Sequence, residues 1–176
     1  MPPPTLPTVV PVIPLGYLFV AVTRRDPAEP VAIMGWPTRR RDRPGEPEYD
    51  WPVTQANVEL RCQQENLDMV SWRIVRYQDI PADRTYRDAW EHQAGAIVHH
   101  LGKAREIHRQ HLRSARSAKL AALDVAYQRA DEDGDQPRKR QIAAQKQALR
   151  DLPTHPDIEA AQTIAQLRAF WPADLD

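Results

Sequence analysis

Lys103–Arg150 reads KAREIHRQHLRSARSAKLAALDVAYQRADEDGDQPRKRQIAAQKQALR. The stretch predicts helix to roughly Asp133, a turn at Asp133-Gly134-Asp135-Gln136-Pro137, and helix again from Arg138 to Arg150. A helical hairpin is the natural product. With a turn of about 100 degrees per residue, Ala104, Ile107, His111, Ala115, Ala118, Ala122 and Val125 fall within one sector about 80 degrees wide. This alanine-rich stripe predicts close approach of the hairpin partner through Ile142 and Leu149.

A second face gathers Arg105, Arg109, Arg113 and Arg116, with Leu112, Leu120 and Leu123 in or beside the same sector. One hairpin contact does not account for large apolar residues among arginines on a second face. Two readings compete. In one, the face meets another chain, leucines buried and arginines at the rim, because interfaces enrich arginine. In the other, the leucines rest against a folded-back C-terminal segment holding Ile158, Ile164, Leu167 and Trp171.

Working outward, Pro153 and Pro156 end the second helix, and Thr163 with Gln166 makes a capping-box pattern for a last short helix to Trp171. Upstream, Asp79–Trp90 (DIPADRTYRDAW) leaves a sheet through Pro81, with Asp83 as a helix cap and Tyr86 and Trp90 four apart on one side of a helical turn. Gly16–Thr23 and Pro30–Trp36 predict a two-strand hairpin, Thr54 caps a helix to about Glu65, and Val70–Tyr77 predicts a half-buried strand. Residues 37–52 are polar and proline-broken, an expected exposed loop. Residues 1–14 hold six prolines among Val9, Val10, Val12 and Ile13, the composition of an extended polyproline-type arm. The expected organisation is therefore α+β: an arm over 1–15, a small α+β domain over 16–90, a linker over 91–102, and a helical hairpin with a short last helix over 103–176.

Composition narrows the chemistry. The 176 residues carry 24 Lys+Arg against 24 Asp+Glu, so no whole-chain positive field gathers nucleic acid. The basic clusters at Arg39–Arg43 and Arg105–Arg116 keep a nucleic-acid-binding alternative in play. Six glycines leave little for phosphate-cradling loops, and no P-loop or dinucleotide fingerprint is present. Cys62 is the only cysteine, which excludes an intramolecular disulfide and a Cys-based zinc cluster. Val9–Val22, the most apolar N-terminal stretch, is interrupted by Pro11 and Pro14, so neither a signal peptide nor a membrane span is expected. His108 and His111 lie three apart on the helix with His92, His99 and His100 upstream, a permissive but unspecific metal spacing. No G-x-S-x-G elbow is present, and nothing marks Cys62 as a nucleophile. The expectation is a protein without catalysis, cofactor or metal.

Ile74-Val75 with Ile80–Trp90 (IPADRTYRDAW), Lys103–Arg109 (KAREIHR), Leu123–Tyr127 (LDVAY), Lys146–Asp151 (KQALRD) and Leu167–Pro172 together resemble a family of small phage and prophage proteins encoded among tail and tail-fibre genes. The resemblance covers roughly the C-terminal 100 residues and leaves out the arm and Arg39–Arg43. It implies a tail-associated role, in the mature tail or in fibre assembly, located in the virion tail or in the host cytoplasm during assembly, with no activity or cofactor attached. Expected partners are other tail or tail-fibre proteins, self-association remaining open. The surface expected to meet them comprises Tyr86, Trp90, Arg105, Arg109, Leu112, Arg113, Arg116, Leu120 and Leu123.

Overall fold

The computed structural model describes residues 17–37, 39–40, 44–45, 47, 49–94 and 96–175. The proline-rich arm, Arg41 and Arg43 lie outside the described residues. The fold is α+β and divides into two compact units, one ending at Ala82 and one beginning at Asp83. The expected boundary near Trp90 is corrected: the Tyr86–Trp90 segment belongs to the second unit.

In the first unit, β1 (Tyr17–Arg24) runs between β2 (Ala32–Pro37) and β5 (Met69–Val75), antiparallel to both. A two-residue ladder, β3 (Arg39–Arg40) with β4 (Tyr49–Asp50), interrupts what was expected to be plain loop. The helix α1 (Gln55–Gln64) begins where Thr54 Oγ1 accepts from the Asn57 amide. Its inward residues Val58 and Cys62 close a core with Val20, Val22, Met34, Trp36 and Trp51. Trp36 donates its indole N–H to the Trp51 carbonyl at 2.9 Å, and the two rings lie 4.5 Å apart. Along β5 Met69 and Trp72 pack toward this core, Trp72 opposite Val22, whereas Val70 is 61% and Ile74 50% exposed. The expected inward row Val70-Trp72-Ile74 is thus interrupted. β5 is an edge strand, and its register with β1 shifts beside Arg24, where a bulge breaks the two-residue period.

In the second unit, a 3-10 turn over Arg87–Ala89 replaces the expected helical turn, and it leads into a hairpin of β6 (Trp90–Gln93) and β7 (Ala96–His99). The span expected to be a linker is therefore mostly sheet. His100 caps α2 (Leu101–Glu132) by accepting from the Lys103 amide. This 32-residue helix is about 48 Å long at about 1.5 Å per residue. Gly134 adopts a φ of +70° at the turn, a conformation that needs no Cβ. Asp135 then caps α3 (Gln136–Asp151) through the Arg138 amide, with Pro137 in the first turn. The chain folds back through α4 (Pro156–Ala160) and α5 (Ile164–Ala169). Thr163 accepts from the Gln166 amide while Gln166 accepts from the Gln162 amide, a capping box displaced by one residue. Among the described residues no helix is long and apolar enough to cross a membrane.

Candidate functional site

The two faces expected of α2 take partners different from those its periodicity suggests. Leu112 is fully buried in one cluster with Tyr86, Ala89, Ala104, Ile158, Ala161, Leu167 and Leu175. The folded-back C-terminal segment covers this leucine. Leu112, Tyr86 and Trp90, expected at a surface for another chain, are inside the unit, so the expectation is corrected for all three. Farther along, Leu120 and Leu123 are half-buried and share a sector of the helix with Arg116, Tyr127 and Ala130. The Arg116 guanidinium donates to the carbonyls of Leu149 and Arg150, so this sector faces the end of α3. Large side chains therefore fill the hairpin seam. The alanine-rich stripe is split: Ala104 is buried and Ala115 half-buried, but Ala118 and Ala122 are exposed and Val125 is 48% exposed.

The arginine row closes inward for the same reason. The last carbonyls of a helix lack intrahelical donors and carry partial negative charge, so a guanidinium is a fitting cap. Arg105 donates to Ala161 O at 2.7 Å, just past α4, as Arg116 does at the end of α3. Arg105 and Arg109 also pair with Glu159. Arg109 and Arg113 hold Glu106, and the Arg113 hydrogen bond in particular keeps that carboxyl below the usual carboxylate range. Beyond the seam, Lys139 and Lys146 lie over the Tyr127 ring at 5.1 and 5.0 Å and pair with Asp131 and Asp124.

At the centre of the enclosed half of α2 stands a group that its periodicity did not single out as core. His108 is 1% exposed, the one buried polar or charged residue among those described. Its Nε2 lies 2.9 Å from the carbonyl of Phe170 and its Nδ1 2.9 Å from the Tyr86 hydroxyl. A carbonyl only accepts, so Nε2 carries the proton and Nδ1 is left as the acceptor for the Tyr86 O–H. Burial, reinforced by His111 and Arg109, holds the imidazole below its ordinary pKa, although the Phe170 carbonyl opposes the shift. Burial also pushes the Tyr86 phenol up to about 12. Both ring nitrogens are engaged, which leaves His108 no lone pair for a metal; His111 stacks on Tyr86 with ring centres 6.2 Å apart. Among the described residues no group of three His, Cys, Asp or Glu is placed to hold a metal ion.

The remaining candidates are modest. His99 Nε2 accepts the Trp90 indole N–H at 3.0 Å, fixing the β6–β7 hairpin. Cys62 is buried, and burial pushes its thiol pKa up, which removes nucleophilic character. In the first unit Arg39 pairs with Asp50 and Arg40 lies 4.1 Å over the Trp51 ring, so two members of the basic cluster are occupied locally. An open groove of about 400 Å³ runs beside α4 and α5, lined by Asp157, Ala160, Gln162, Gln166 and Phe170. No family model, no curated protein and no solved structure matches the chain.

Proposed function

We propose that the chain is a structural or assembly component of a bacteriophage tail, acting in the tail-fibre region by packing against other tail proteins and without catalysis. The sequence resemblance supplies the context. The observation that carries the mechanism is the pattern of burial along α2. Within the second unit, segments that bear the resemblance are occupied with one another: Tyr86 with His108, Asp83 with Arg168, and His108 with Phe170. Their polar groups hold a scaffold together. From that scaffold a two-helix hairpin continues in which Ala130 and Ile142 are the only buried residues of the paired stretch. A long hairpin with so small an internal core gains order from a partner surface.

Co-expression with neighbouring tail-fibre proteins, followed by size-exclusion chromatography, tests the reading. Co-elution with at least one of them is the expected result. Elution alone in every pairing, together with absence from purified virions and normal tails after deletion, would discard it. The nucleic-acid alternative loses support from the same geometry, because Arg105, Arg109, Arg113 and Arg116 all have partners within the chain. Binding that falls steeply with salt would restore it.

A further inference from the structure

His108 joins three parts of the second unit through one side chain: α2 by its own backbone, the turn before β6 through Tyr86, and the C-terminal segment through Phe170. The Phe170 bond needs a proton on Nε2, which both ring forms carry, whereas the Tyr86 bond, with the hydroxyl as donor, needs Nδ1 unprotonated. An imidazolium donates from both nitrogens. The Tyr86 hydroxyl would then lose its acceptor inside a buried site, and an unsatisfied buried group is destabilising.

We propose that His108 is an acid-sensitive latch, whose protonation at Nδ1 loosens the Tyr86 turn from α2 while the Phe170 bond is kept. The proposal is independent of any tail role. The surrounding charges favour this direction. On α2, Arg109 and the neighbouring His111 oppose a second positive charge and Glu106 is already committed to arginines, as is Glu159 of α4. From the turn, Asp83 is held by Arg168 and by the Thr85 amide. From the C-terminal side, Phe170 presents a carbonyl that accepts in either protonation state, His155 stacks on the Phe170 ring at 4.6 Å, and Trp171 meets His108 edge-on at 5.9 Å. None of these supplies a free carboxylate to the buried ring.

The sign follows. The folded chain holds His108 below its ordinary value of 6.5, so the unfolded chain binds the proton more readily. Stability from this group is full above that value and is lost as pH falls from it through the folded pKa.

The full chain, isotopically labelled, is titrated from about pH 8 to about pH 4 while the His108 ring nitrogens are followed by NMR. At the upper end the Nε2–H tautomer is expected. As His108 protonates below 6.5, amide exchange over residues 84–90 should rise by about tenfold or more at the same midpoint, with residues 164–175 changing less. His108→Gln keeps a donor for Phe170 and an acceptor for Tyr86 without titrating, and it should abolish the step. His111→Gln, an exposed change, should move the step to higher pH. The latch is overturned if His108 titrates at or above its ordinary value, if it protonates while residues 84–90 stay protected, or if His108→Gln loosens at the wild-type midpoint. Should His108→Gln fail to fold, the wild-type titration decides alone.

Discussion

The two halves of α2 have the same kind of sequence and different surroundings. In the closed base, Ala104, His108 and Leu112 are buried because the turn at Tyr86 and Ala89 and the C-terminal segments bearing Leu152, Ile158, Leu167 and Leu175 lie against the helix. In the open hairpin α2 faces α3, and Ala130 is the one buried residue of that half of α2. An amphipathic stripe records which residues prefer to leave water, and the number of segments that reach it decides how many succeed. Interactions in the base therefore belong to the global stability of the unit, and those in the hairpin to local opening.

The sharpest break is Leu112→Asp. An unpaired carboxylate in the base costs several kcal/mol, on the order of a small unit's whole stability, so the second unit should unfold at any protein concentration. Circular dichroism melting across a dilution series checks this. A melting temperature that tracks concentration would instead return Leu112 to an interface between chains. Leu167→Ala should cost about 2 to 5 kcal/mol, measured by urea unfolding, because it leaves a cavity beside the same leucine. Ile142→Ala removes the same class of side chain from the open hairpin. Its effect should be the lower end of that range, about 2 kcal/mol, concentrated in faster exchange of α3 amides with little change in the base. Arg116→Ala, which uncaps the carbonyls of Leu149 and Arg150, should cost about 1 to 2 kcal/mol. Ala122→Asp, on the exposed continuation of the alanine stripe, should stay within about 0.5 kcal/mol. A large loss there would mean that the hairpin has a covered face the isolated chain does not reveal.

Much of this architecture was legible. Thr54, Asp135 with Pro137, Gly134 and Thr163 mark helix ends by chemistry that acts within a few residues, and the helices begin or end there. The β6–β7 hairpin was not legible: WEHQ and AIVH are four-residue strands without a strong alternation, and their pairing rests on the indole of Trp90 reaching His99. The faces of α2 were assigned by side-chain size, with small residues expected toward the hairpin. Arg116 shows why that failed. A guanidinium reaching the end of α3 places the leucine face in the seam, and only the position of the α3 terminus reveals it. Periodicity places Leu112 between two occupants, because it shows that a residue is to be covered and is silent about which chain covers it. The core role of His108 is hidden from the sequence for a related reason: its partners Tyr86 and Phe170 are 22 and 62 residues away.

Native-state hydrogen exchange on the unmodified chain tests the division of α2 most directly. Amides from Ala104 to Leu112 should exchange only through global unfolding of the second unit, and those from Ala118 to Val125 should exchange at least about tenfold faster through local opening. Equal protection along the whole helix, in a chain shown to be monomeric, would contradict the account.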